Sequence, residues 1–162
     1  MVRTRTTKRE SDAERYRRFS VTEPRTEHAY VAFVGLDRMQ APEGVREIER
    51  GLPFAAFERL QNTLGLTAGE FAKVVAIPAR TLIRRKSEGR LSLEESDRLV
   101  RVSRVFAHAV DVYDGDPERA AEWMKSTIPA LGGRRPIDFV WSDAGASAVD
   151  RILGRLEHGI FS

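Results

Sequence analysis

Arg80 and Arg84 stand four residues apart, and Thr81 and Arg85 repeat that spacing one position further on. On a helix these four side chains form two neighbouring rows, and both rows could face a ligand. Lys73 precedes them and Lys86 and Arg90 follow. From Lys73 to Arg90 six cations face the single acid Glu88, a local net charge of +5 in a chain whose total is +3. The chemistry open to such a group is recognition of a polyanion. A guanidinium donates two parallel hydrogen bonds to an acceptor pair such as the major-groove edge of guanine, whereas contacts to phosphate set affinity and register without reading sequence. Arg80 and Arg84 are therefore expected to contact bases, and Arg85, Lys86 and Arg90 to contact phosphates. Thr67, at the head of the preceding helix, offers its hydroxyl or backbone N–H to a further phosphate. The competing reading is a surface helix that is merely basic.

Bond-making chemistry finds no such grouping. His28, His108 and His158 lie far apart, without the i, i+4 spacing of a metal pair, and cysteine is absent. Glu157 and His158 are adjacent, so on a helix they point to different faces. Ser87, Ser92 and Ser103 lack the glycines of a nucleophile elbow, and Gly132 with Gly133 alone does not make a phosphate loop. No catalytic residue, metal ligand or cofactor is identified, and the chain is expected not to be an enzyme.

The elements that must position the basic rows are helices. Pro42 and Gly51 bracket a helix carrying Val45 and Ile48 on one side, and a second helix starting near Pro53 and closing at Gly65 places Phe54, Phe57, Leu60 and Leu64 together. Thr67 and Glu70 have capping-box spacing, just before Phe71, Val74 and Val75, and Ser92 with Glu95 repeats it ahead of the longest helix, which carries Leu99, Val102, Phe106, Val110 and Tyr113. Between them, Ala76 to Ala79 form a turn of about four residues before a helix that runs through Leu82 and Ile83 to Gly89. Phe71, Ala72, Val75, Ile77 and Leu82 supply the core of that pair. Asp116 and Pro117 start a short helix through Trp123, and a final helix runs from about Ser142 to His158. Trp123 and Trp141 are expected in the core. No stretch alternates long enough for a sheet, so the fold class is all-α.

With 162 residues, 41% of them hydrophobic, the chain can bury a core without disulfides. It has no run of about 18 apolar residues and no apolar leader, which points to a cytoplasmic protein without membrane contact. Residues 1–28 read as a flexible basic arm, 29–90 as N-terminal helices and the helix pair, 91–115 as a long connecting or dimerisation helix, and 116–162 as a C-terminal domain. Tyr30 to Leu36 is a short apolar run that could act as a packing strap.

The run LTAGEFAKVVAIPARTLIRRKSEG resembles the Xre and Cro-repressor type of helix-turn-helix, and IPARTLIRRKSEGRLSLEESDRL resembles the narrower group of Xre/ParS-type antitoxins. Ala76 stands where many such turns have glycine, and Pro78 where a serine cap is common. The segment from Pro129 to Ser162, with Gly132-Gly133, Pro136, Gly145 and the closing Glu-His-Gly, looks like the toxin-binding domain of those antitoxins. Trp141 and Ser142 replace the expected leucine and threonine. The resemblance implies an Xre-like helix-turn-helix bundle followed by a C-terminal helical toxin-binding domain. It further implies an antitoxin that occludes the active site of a RES-domain, NAD-degrading toxin and autoregulates its operon on double-stranded operator DNA. The expected assembly is a homodimer within a hetero-oligomeric complex.

Arg134, Arg135, Glu157, His158, Gly159, Ile160 and Phe161 are the expected toxin contacts. By their residue types alone, Ile160 and Phe161 either fill a partner's pocket or pack back on the last helix. The alternative function is a stand-alone helix-turn-helix regulator whose C-terminal helices mediate dimerisation.

Overall fold

Four of the described helices begin where a side chain, of Thr67, Ser92, Asp116 or Ser142, offers the first N–H groups an acceptor. A computed structural model describes residues 31–36 and 40–159, so the arm at 1–28 and the pair Ile160 and Phe161 lie outside the described residues. Helices α1 (Val31–Val34), α2 (Ala41–Glu49), α3 (Phe54–Leu64), α4 (Ala68–Val74), α5 (Ala79–Glu88), α6 (Leu93–Val112), α7 (Pro117–Lys125) and α8 (Asp143–Glu157) follow in order, with 3-10 turns at Pro129–Leu131 and Pro136–Asp138 between α7 and α8. No strand occurs among the described residues, so the all-α expectation holds.

Both capping boxes form. The Thr67 hydroxyl accepts from the Glu70 N–H at 3.2 Å while the Glu70 carboxylate accepts from the Thr67 N–H at 2.8 Å. Ser92 and Glu95 repeat the exchange at 3.2 and 2.7 Å. Asp116 caps α7 through the N–H groups of Glu118 and Arg119, and Ser142 caps α8 through that of Gly145.

Helix α6, 20 residues and so about 30 Å long, is the axis of the fold. It packs against α1, α2, α7 and α8, and its Leu99, Val102, Val105, Phe106, Ala109 and Val110 are buried. The apolar run before α2 is indeed a strap: α1 lies on α3 and α6, with the Phe33 ring edge-on to Phe106 at 5.0 Å. On the other side Phe57 meets Phe54 at 5.2 Å and Phe71 at 4.9 Å, which ties α3 to α4. One continuous core therefore runs from Phe33 to Leu153, joining the N-terminal helices to the last one. Truncating any of these phenylalanines to alanine costs about 3–5 kcal/mol in such a setting.

Five apolar residues depart from the sequence reading. Val45 is exposed on α2, Leu82, Tyr113 and Trp123 are only half-buried, and Trp141 is 53% exposed. On α2, Ile48 packs against the core and Val45 does not.

The segment after α5 returns to the start of α3. The Leu91 N–H donates to the Leu52 carbonyl and the Phe54 N–H to the Gly89 carbonyl, both at 2.9 Å. Gly51 sits at φ +87° against this clip, where a Cβ would run into the Leu91 carbonyl oxygen. Glycine is required there on two counts, the left-handed backbone and the close approach.

Candidate functional site

The turn between α4 and α5 sets the angle of the basic helix. Helix α4 ends with Ala76 at φ +52°, the Ala76 N–H donating to the Lys73 carbonyl and the Ile77 N–H to the Ala72 carbonyl at 2.7 Å. This is the glycine-type helix end made with alanine, a conformation that costs a Cβ-bearing residue about 1 kcal/mol. Ile77 then plugs the core, Pro78 presets the backbone, and α5 begins. Helix α6 holds the arrangement from beneath: the Arg98 Nε–H donates to the Val75 carbonyl at 2.7 Å.

Helix α5 has no fully buried residue. Its inner side rests on half-buried Leu82 and on Arg85, whose side chain is 19% exposed. The Arg85 Nε–H donates to Glu95 at 2.7 Å, and its NH1 lies 2.9 Å from Glu88. These two carboxylates, Glu95 foremost, raise the Arg85 pKa above its ordinary value. Arg90 is similarly engaged, donating to the Gly51 carbonyl and, at 2.7 Å, to Glu47. Both arginines thus carry ion pairs within the protein, and the Arg90 side chain remains 48% exposed.

Thr67 is committed too. Its hydroxyl donates to Glu70 at 2.7 Å and its backbone N–H is taken by the same carboxylate, whose pKa these bonds lower. A second anion at that helix start would meet the Glu70 charge.

The outer side of α5 is different. Arg80, Ile83, Arg84 and Ser87 share one exposed face at helical spacing. Arg80 and Lys86 have no ion-pair partner among the described residues, and Arg84 only a loose 3.7 Å approach to Glu88 with its side chain 60% exposed. Thr81 is half-buried at the edge of this face. The two rows read from the sequence therefore separate, the Arg80/Arg84 row facing outward and Arg85 turning inward.

The C-terminal candidates divide between the two ends of a helix. Before α8, the Arg134 guanidinium stacks over Phe139 at 4.5 Å, and Arg135 grips Asp138 with two hydrogen bonds of 2.9 and 2.8 Å, which raises its pKa. Gly145 admits the Phe139 carbonyl, which a Cβ would strike. At the far end of α8, itself about 22 Å long given 15 helical residues, Glu157, His158 and Gly159 form the exposed C-terminal end. His158 Nδ1 lies 2.7 Å from the Gly154 carbonyl. Glu157 approaches His108 Nε2 at 3.9 Å, while His108 Nδ1 meets Asp150 at 3.1 Å. The Asp150 hydrogen bond raises the His108 pKa against the opposing effect of burial.

Sequence reasoning missed two exposed apolar side chains beside these sites. Trp141, held through its carbonyl by Arg101, rims clefts on both sides, one shared with Glu70, Lys73 and Arg135 and one with Leu93, Asp97 and Arg101. Ile83 is 73% exposed in the middle of the basic face of α5. The signal for Ile83 was its place three residues after Arg80 and one before Arg84. No grouping of three or more metal-ligating side chains occurs among the described residues, and none of their helices is long and apolar enough to cross a membrane.

A helix-turn-helix presenting a basic face, joined through a shared core to a second helical unit, defines the class of protein. Residues 43–104 match the antitoxin Xre-like helix-turn-helix domain, and residues 108–159 match the antitoxin Xre/MbcA/ParS C-terminal toxin-binding domain. Antitoxin Xre of Photorhabdus laumondii and antitoxin Xre of Yersinia enterocolitica are each 35% identical over 130 residues, covering 80% of this chain and 88% of theirs. The Prs ADP-ribosylating antitoxin of Sphingobium sp. is 22% identical over 140 residues, covering 81% of this chain and 88% of its own. The chain belongs to the Xre antitoxin family, as its sequence resemblance implied. It is an antitoxin built from a helix-turn-helix and a toxin-binding domain, and the two matched regions meet within α6.

Proposed function

We propose that this antitoxin neutralises a RES-domain, NAD-degrading toxin by occluding its active site, and represses its own operon by binding promoter DNA. On DNA, Arg80 and Arg84 contact base edges, Thr81 lies at the margin of the groove, and Lys86 neutralises phosphate. Thr67, Arg85 and Arg90 act indirectly, by fixing the helices that present those groups. On the toxin, the loop at Arg134 and Arg135 and the end of the chain from Glu157 through Phe161 provide the contacts. The working form is a homodimer inside a hetero-oligomer in the cytoplasm, pairing two half-sites of the operator.

The observation that carries this reading is the exposed Arg80/Arg84 row on a helix-turn-helix that shares one core, through α6, with a toxin-binding domain. That the Sphingobium relative is named for ADP-ribosylation supports a toxin whose chemistry involves NAD. The stand-alone regulator would leave the toxin-binding domain without a task.

The test is growth and cellular NAD in a host expressing the neighbouring gene's product, alone and with this chain. NAD and growth that collapse alone and recover with the pair support the reading; a harmless neighbour, or one that is not rescued, defeats it. Deleting Glu157 to Ser162 should then release the toxin while sparing DNA binding.

A further inference from the structure

We propose that Ile83 is a specificity residue that reads thymine, packing its side chain on a C5 methyl group in the major groove between the contacts of Arg80 and Arg84. The proposal rests on the DNA-binding reading above. Ile83 is 73% exposed, against 55%, 53% and 52% for Val45, Trp141 and Leu93, the other exposed large apolar side chains among the described residues. It has no task in the core, because Leu82 and Arg85 already fill the inner side of α5. It is also β-branched, which gives it no advantage over alanine or lysine in an exposed helix.

A single exposed isoleucine needs no explanation by itself. Its neighbours decide what can cover it. Arg80 and Arg84 flank it on the same face, with Ser87 one turn further on. A purely apolar partner closing over Ile83 would strip water from both guanidinium groups and leave them unpaired, at a cost exceeding the gain from one side chain. The major groove offers what this face needs side by side: acceptor pairs on guanine, the thymine methyl, and phosphates at the rim. Arg80 and Arg84 are about 6 Å apart along the helix axis, close to two base steps of roughly 3.4 Å, so a thymine read by Ile83 lies within or next to the base pairs the arginines read.

The experiment uses the full chain and the DNA upstream of its own reading frame, prepared with thymine and, separately, with deoxyuridine at every thymine position, which removes only the methyl groups. Affinities of the unaltered chain and of Ile83→Ala are measured on both, with an unrelated fragment and Arg80→Ala as controls. The unaltered chain should lose about fourfold on the deoxyuridine DNA for each methyl it covers. Ile83→Ala should lose a similar factor on thymine DNA and nothing further on the deoxyuridine form. An equal loss in both proteins, or no loss in the unaltered chain, overturns the role of Ile83 while leaving DNA binding intact. Binding no tighter than to the unrelated fragment overturns the DNA reading itself, and Ile83 with it. An unchanged melting temperature for Ile83→Ala shows that the variant is folded.

Discussion

The outer and inner sides of α5 carry the same residue type to opposite ends. Among the described residues, Arg80 and Arg84 project from a face with no fixed partner stronger than the loose approach of Glu88, whereas Arg85 is drawn inward to Glu95 and the following Arg90 to Glu47. The difference teaches that a local net charge is not the charge a ligand meets. Two of the six cations between Lys73 and Arg90 are neutralised by acids from outside that stretch, and these two fix the angle at which the others are presented. On the proposed function, affinity for a polyanion and rigidity of the reading head are divided between residues that look alike in sequence.

The comparison breaks most sharply at Arg85. Arg85→Ala leaves the buried Glu95 carboxylate without its cation and should cost about 3 kcal/mol of stability, lowering the melting temperature by roughly 10 °C. Replacing both partners, as Arg85→Met with Glu95→Gln, removes the unpaired charge while keeping an acceptor for the Ser92 N–H, and should restore part of it. A melting temperature unchanged in Arg85→Ala would show that the inward pair is ornamental and that Arg85 is free for phosphate after all.

Arg84→Ala is the complement. Its pair with Glu88 is exposed, so stability should change by less than about 1 kcal/mol, while binding to the cognate DNA weakens by about 1–3 kcal/mol and specificity relaxes at one base pair. Titrations on cognate and scrambled DNA at several salt concentrations separate the two kinds of contact. An equal loss on every sequence, with a shallower salt dependence, would move Arg84 from base to phosphate.

Much of this arrangement was legible beforehand, for a physical reason. Caps and helix ends are local: Thr67 with Glu70, Ser92 with Glu95 and Gly65 with Gly89 state their geometry within a few residues, and the helices start and stop where they indicate. The core face of α3 was equally clear from its spacing. Pairings across long stretches of chain were not. Nothing near Arg90 announces Glu47, 43 residues away, and nothing near His108 announces Asp150, 42 residues away. Trp141 was assigned to the core by residue type, but its backbone carbonyl is tied to Arg101 at a seam between helices, and the ring stays at the surface.

Ala76 offers a way to separate rigidity from reading without touching a charge. At φ +52° it occupies a backbone region that glycine enters freely, so Ala76→Gly should stabilise the chain by up to about 1 kcal/mol and leave DNA affinity unchanged. The gain is smaller if the glycine also loosens the unfolded chain. Lower DNA affinity at unchanged stability would mean that the methyl group of Ala76 itself helps to aim α5.

The smallest effect expected lies in the other half of the molecule, where His108 is a further basic side chain turned toward acids of the protein itself. Asp150, at 3.1 Å, and Glu157 and Asp111 nearby favour its protonated form, so its pKa is higher folded than unfolded. The stability this pair contributes is fully present below the unfolded histidine value of about 6.5, and is lost as the pH rises through the higher folded value. Denaturant midpoints measured from pH 5.5 to 8.5 should therefore fall on the alkaline side, and His108→Gln should flatten that fall. If the slope survives in His108→Gln, the α6–α8 contact owes nothing to this charge. The rule drawn from α5, that cations paired inward carry stability and cations facing outward carry binding, would then not extend to the toxin-binding half.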